Sequence, residues 1–212
     1  MRDQPHRLPR LMLLASTAAI AGTVLAVLAL VPQILKLYRT GLVDGVSPTW
    51  AAFGLVTNVA WTAYLAQERL WLTVPATVLV TAAYAMTFTL LVRAGVEVSP
   101  PVIAAAVWGA ALLVVAAVGG WSALGIVLGL SHAVQAAPSV WTAYRSPTPR
   151  GIAPGTWAIA LAEGLLWGYY GWWYADVPLV LFAVVASTAS VAMLARYGAT
   201  RHRWLEPAAS RA

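Results

Sequence analysis

Two sets of polar and aromatic residues occur at helical spacing, and their side chains suit the binding of a small hydroxylated solute. The sets are Asn58, Trp61 and Tyr64 in the first half of the chain and Glu163, Trp167 and Tyr170 in the second. Spacings of three and four residues place each set on one face of a helix. Indole rings stack on the apolar faces of sugars, while amide and carboxylate groups bind hydroxyls. The pattern predicts a binding site shared by two helices.

The two tyrosines lie near the predicted outer ends of their helices, where we expect an outer gate formed by Tyr64 and Tyr170. An aromatic belt at the membrane surface is the alternative for both tyrosines and for Trp172 and Trp173.

Glu163 is the only acid inside a predicted membrane span. A carboxylate there is costly and usually faces a cavity, so it is a candidate functional group. It could bind a neutral solute by hydrogen bonds, or exchange a proton and couple transport to protons, with His132 as a candidate partner. A packing role is the alternative for the histidine.

Four prolines occur as two pairs, each separated by sixteen residues: Pro32 and Pro48, then Pro138 and Pro154. Proline inside a helix removes a backbone donor and costs about 3 kcal/mol, so we expect hinges at Pro32 and Pro138. Gln33 is a candidate partner for the carbonyl group that Pro32 leaves free. Pro48 and Pro154 could instead simply begin helices, where proline is tolerated.

Several kinds of chemistry have no candidate residues in this sequence. The chain contains no cysteine, and its three histidines are widely separated. No nucleophile with a base occurs in or near the spans, so we expect neither an enzyme nor a cofactor. The net charge of +6 is explained by topology and by anionic lipids, and we expect no nucleic-acid partner.

The composition predicts an all-α integral membrane protein, because 61% of the 212 residues are hydrophobic and only 9% are charged. The uncharged runs divide into seven spans, with the sequence "VGGW" at residues 118–121 as a turn within the longest run. We predict a first repeat at 11–94 (spans 11–38, 47–67 and 70–93), a linker helix at 101–119, a second repeat at 121–197 (spans 121–144, 153–174 and 177–197), and basic tails at 1–10 and 198–212.

An internal repeat supports this division. With a constant offset of 106 residues, "VPQILKLYRTGLVDGVSP" at 31–48 aligns with "APSVWTAYRSPTPRGIAP" at 137–154, and Trp61 and Tyr64 align with Trp167 and Tyr170. After a loss of three residues, "TVP" at 73–75 aligns with "DVP" at 176–178. We interpret this as duplication of a three-helix unit. One extra helix gives both copies the same orientation, a 3+1+3 plan of parallel repeats found in secondary transporters.

Lys and Arg residues predict the orientation. The side of the N-terminus carries four and the opposite side nine, so we expect the N-terminus outside and the C-terminus in the cytoplasm. The expected location is the plasma membrane.

The chain resembles the PQ-loop repeat superfamily. The resemblance rests on "PQ" at 32–33, "SPTW" at 47–50 and "WTAY" at 61–64. The seven-helix plan is similar to that of its sugar-transporting SWEET branch, whose half-size relatives are SemiSWEETs. The resemblance implies that Trp61 and Trp167 contact sugar and that the four prolines surround an inner gate.

One part of the pattern differs from that family. Its third helices each supply an asparagine to the sugar site, but the matching positions here are Val80 and Ala183. Thr77 and Ser187 are among the nearest hydroxyl groups. The substrate-binding residues predicted by the resemblance and the spacing together are Trp61, Trp167, Asn58, Glu163, Val80 and Ala183.

The sequence thus predicts a carrier that moves a small neutral solute by alternating access without ion coupling. A mono- or disaccharide is the preferred candidate for this solute. A PQ-loop carrier of amino acids or other metabolites, proton-coupled through Glu163, and a cargo-binding protein that does not transport are the alternatives. A homo-oligomer is possible on either view.

Overall fold

The computed structural model describes residues 7–41, 43, 46–147 and 154–200. The expected all-α class is confirmed for these residues, which contain no β-strand. The helices are α1 (Arg7–Thr40), α2 (Pro48–Gln67), α3 (Val74–Arg93), α4 (Ser99–Arg145), α5 (Pro154–Trp173) and α6 (Val177–Thr200).

Four helices of the described residues, α1, α3, α4 and α6, are long and apolar enough to cross a membrane. Side chains on their surfaces are apolar as well: Leu113 is 72% exposed and Val118 is 86% exposed. Exposed apolar surface of this kind is suited to lipid, which we expect to cover it.

Helix α4 is interrupted within the predicted glycine turn. Gly120 has φ 72° and ψ −173°, which is not a helical conformation, although the helical pattern continues on both sides for a total of 47 residues. Glycine has no Cβ and adopts positive φ at little steric cost. The break divides α4 into residues 99–119 and 121–145.

Two helix starts have polar caps. Before α2, the Ser47 hydroxyl accepts a hydrogen bond from the backbone N–H of Trp50 at 3.2 Å, and Pro48 occupies the first turn. Before α6, the carboxylate of Asp176 accepts one from the backbone N–H of Leu179 at 2.8 Å. Helix α3 begins at Val74 rather than at the predicted residue 70, because residues 70–73 form a turn in which the Thr73 N–H binds the Leu70 carbonyl.

The helices of the two halves pack against each other. Within the halves, α2 contacts α3 and α5 contacts α6; between them, α1 contacts α5 and α2 contacts α4. Small residues allow close approach: the Trp167 ring lies directly over Gly22 of α1, and the Tyr84 ring lies against Gly54 of α2. These contacts bring both predicted binding faces to one interior region.

Candidate functional site

A cavity of about 440 Å³ lies inside the helical bundle. This volume is within the range of about 300–1,000 Å³ found for small-molecule sites. Its lining comes from both halves of the chain and includes Leu30, Asn58, Trp61, Thr77, Val80, His132, Gln135, Trp157, Glu163 and Trp167. The structure therefore brings most of the predicted binding residues together around one space.

Helix α2 contributes an amide and an indole to this cavity. The Asn58 side-chain N–H donates to the Gly54 carbonyl at 2.9 Å, which fixes the amide and leaves its oxygen for a ligand. The Trp61 ring packs edge-on against the rings of Tyr64 and Phe182, with centroid distances of 5.7 and 6.3 Å. Packing of this kind restricts the rotation of the indole.

Helix α5 contributes a carboxylate joined to an indole. Glu163 and Trp167 are one turn apart, and the Trp167 Nε1–H donates to Glu163 Oε1 at 3.3 Å. Gly22 leaves space for the indole because a methyl group there would lie only 3.0 Å from the ring. The glutamate is held next to an aromatic surface within the cavity.

Helices α3 and α6, which are the third helices of the two aligned repeats, contribute differently to the cavity. Val80 of α3 lines the cavity, and so does Thr77, whose hydroxyl oxygen accepts a hydrogen bond from the Thr62 hydroxyl at 2.9 Å. Ala183 of α6 does not line it. Its methyl group packs against Gly168 of α5. Close packing of α5 on α6 at these small residues keeps the Ala183 position away from the cavity.

Helix α4 adds a polar strip to the lining. His132 is part of it, and its ring meets Phe182 edge-on at 5.1 Å. Ser131, Gln135 and Ser139 lie on the same helix, and from the start of α5 come Thr156 and Trp157. These residues were not among those predicted from the sequence, although Ser131, Gln135 and Ser139 occur at every fourth position, a spacing that places them on one helix face.

A hydrogen bond joins the two halves at the end of the bundle where α2 ends and α6 begins. The Tyr64 hydroxyl donates to Asp176 Oδ2 at 2.7 Å, while Oδ1 of the same carboxylate caps α6. Asp176 is only 8% exposed. Asp176 was not among the residues predicted from the sequence, yet an acid just before a helix that starts with "VP" is a recognisable capping signal.

Tyr64 and Tyr170 are buried inside the bundle rather than exposed as an aromatic belt would require. Tyr64 is 3% and Tyr170 is 1% exposed, and both belong to the main buried cluster. The Tyr170 ring lies 4.6 Å from that of Tyr174. Trp172, by contrast, is 69% exposed, as a belt residue would be.

Two of the four prolines lie inside helices and two begin helices. Pro32 lies inside α1, whose helix continues past it to Thr40, while Pro48 and Pro154 are the first residues of α2 and α5. Pro138 lies within α4. The side chains of Pro138 and Gln33 are outside the described residues, so the expected role of Gln33 stays a prediction.

At the opposite end of the second half, Arg196 of α6 contacts the end of α4. Its guanidinium donates to the backbone carbonyls of Ala143 at 3.1 Å and Ser146 at 2.6 Å, which satisfies the end of α4. The Tyr144 hydroxyl donates to the Ala192 carbonyl at 3.0 Å. The aligned residue of the first half, Tyr38, is 73% exposed.

No group of three or more His, Asp or Glu side chains that could hold a metal ion is present among the described residues.

Comparison with protein families gives one match: residues 14–74 fit the family model for the PQ loop repeat. The matched segment contains most of α1, all of α2 and the turn that precedes α3. No curated protein matches the chain. The match covers less than a third of the sequence, and it shows that this part of the chain is similar to PQ-loop proteins. This similarity suggests a membrane protein that acts on small solutes.

Proposed function

We propose that the protein is a transporter of the SWEET type, which moves a small sugar across the plasma membrane by alternating access. The observation that carries the proposal is the cavity, because it combines the indoles of Trp61 and Trp167 with the amide of Asn58 between the two halves. Sugars require such a combination of aromatic faces and hydrogen-bonding groups.

The proposed architecture is seven crossings arranged as 3+1+3. Support comes from the Gly120 break, which divides α4 into two segments that are each long enough to cross, and from the aligned repeats. In this arrangement residues 99–119 form the linker helix. The N-terminus lies outside and the C-terminus in the cytoplasm, as the distribution of Lys and Arg favours.

The proposed cycle exchanges closure at the two ends of the cavity. The bond between Tyr64 and Asp176 holds the outer end shut, while the lining extends inward to Ser139 near the end of α4 and Thr156 at the start of α5. Bending at Pro32 and Pro138, with Pro48 and Pro154 around the inner gate, would close that end as the outer bond breaks. No cofactor and no chemical conversion take part.

A second candidate is a proton-coupled carrier of amino acids or similar metabolites. The observation in its favour is that Glu163 and His132 line the same cavity. Both groups can exchange protons, and a carboxylate within a span commonly belongs to a proton pathway.

Counterflow in liposomes separates the two candidates. Purified protein would be reconstituted and tested with labelled glucose, sucrose and a panel of neutral amino acids, with and without an imposed pH gradient. Saturable sugar exchange that is indifferent to the gradient supports the proposal. Accumulation of an amino acid driven by the gradient supports the second candidate and contradicts the first.

A further inference from the structure

Glu163 places a carboxyl group in the cavity, and no basic side chain of the described residues is paired with it. Its Oε1 accepts the bond from Trp167, but no described residue forms a salt bridge with it. No lysine or arginine is present in the lining that the structure describes. Isolated charges in an apolar interior are costly and are normally paired, so this carboxylate is suited to a cation supplied by the ligand.

The one basic side chain in the described lining, His132, is not paired with Glu163. The His132 ring makes an edge-on contact with Phe182 at 5.1 Å, and it forms no ion pair with Glu163. An internal pair between the two residues therefore does not satisfy the carboxylate in this conformation.

The surroundings of Glu163 favour an organic cation. Trp157 and Trp167 lie on the same helix and line the same cavity. Indole faces attract ammonium groups, most strongly when the pair is shielded from water. The remaining polar groups, such as Asn58 and Gln135, bind hydroxyls rather than charge. A sugar that carries a protonated amine meets both conditions.

We infer that the preferred solute is an amino sugar, whose ring lies between Trp61 and Trp167 and whose ammonium group binds Glu163. This inference rests on the proposed function and replaces the neutral solute expected from the sequence with a cationic one. Charge-assisted hydrogen bonds are roughly twice as strong as neutral ones, which makes Glu163 the residue that selects for the amine.

The test compares three sugars of similar size: labelled glucosamine, glucose and N-acetylglucosamine. Counterflow would be measured in liposomes at the same neutral pH on both sides, where most glucosamine carries an ammonium group and a carboxylate is not neutralised by acid. The acetamide nitrogen of N-acetylglucosamine carries no charge. We expect a half-saturating concentration for glucosamine at least about tenfold below those of the other two, since one charged hydrogen bond contributes about 1.5–3 kcal/mol.

The matched variants are Glu163→Gln, which keeps the shape of the side chain, and Glu97→Gln, which removes an exposed acid outside the helices. The ratio to follow is the half-saturating concentration for glucose divided by that for glucosamine. We expect Glu163→Gln to reduce this ratio to about one and Glu97→Gln to leave it unchanged. Equal half-saturation for the three sugars in the wild-type protein would overturn the inference alone, and so would a ratio that survives Glu163→Gln. Absence of saturable exchange for every sugar would overturn the proposed function, and the inference with it.

Discussion

The hydroxyl of Tyr64 and the carboxylate of Asp176 lie 2.7 Å apart, although the two residues are separated by 112 positions in the chain. The bond connects the last turn of α2 with the cap of α6, and so it joins the two halves at one end of the cavity. Both partners are buried. A buried carboxylate depends on its donors, which makes this contact important for stability as well as for closure.

Replacement of Tyr64 by phenylalanine tests that dependence. Tyr64→Phe keeps the ring but removes the donor, and we expect a loss of about 1–3 kcal/mol in stability because the carboxylate keeps only its bond to the Leu179 N–H. Thermal unfolding in detergent measures it. The control is Tyr169→Phe, since the ring of Tyr169 packs near Trp172 and would remain. Equal melting temperatures for the two variants would contradict the assigned role.

The two cavity tryptophans should be needed for uptake. We expect Trp61→Ala and Trp167→Ala to abolish transport of the solute, because each removes an aromatic face from the cavity. Uptake into liposomes and size-exclusion profiles would be measured together, so that loss of function is separated from loss of folding. Trp71→Ala, at a site 63% exposed and outside the lining, is the control. Wild-type rates in both cavity variants would refute the site.

Pro32 should affect movement more than binding. Its position inside α1 removes one backbone hydrogen bond from a continuous helix, which favours bending there. We expect Pro32→Ala to slow exchange while the dissociation constant for the solute changes less. Pro100→Ala, in the first turn of α4, is the comparison because proline is tolerated at that position. Exchange at the wild-type rate in Pro32→Ala would exclude a hinge at this residue.

Gly54 and Gly155 provide a matched pair for packing. A methyl group at Gly54 would overlap the Tyr84 ring, whereas one at Gly155 would meet no atom within 4 Å. We expect Gly54→Ala to destabilise the protein by about 1–3 kcal/mol through overpacking. Gly155→Ala should be neutral or stabilising by up to about 1 kcal/mol, because alanine favours helix. Urea or thermal unfolding would detect the difference, and similar stability of the two variants would argue against the contact between α2 and α3.

The sequence predicted helices well because uncharged runs are long and the few charged residues mark their ends. It also predicted the break near Gly120, where two adjacent glycines interrupt an apolar run. The third helix was predicted to start too early, at residue 70. Hydropathy does not distinguish an apolar turn from an apolar helix, and Leu70 and Trp71 are apolar residues in a turn.

Within the site, periodicity identified the inward faces of α2 and α5 but not the rotation of the other helices. Val80 lines the cavity and Ala183 does not, although the two were predicted from equivalent positions. The difference arises from packing between α5 and α6, which depends on small residues such as Gly168 of another helix. The bond from Tyr64 to Asp176 was likewise out of reach, since no local pattern connects residues so far apart.

The contact between Tyr64 and Asp176 also distinguishes the two aligned halves of the chain. In the alignment of the repeats, the residue matching Asp176 is Thr73, whose hydroxyl donates to the Leu70 carbonyl within its own turn. Two copies of the first half would therefore face each other without a carboxylate for either tyrosine. The two halves are therefore not interchangeable at this contact, since only the second half contains both the aligned tyrosine, Tyr170, and the carboxylate of Asp176.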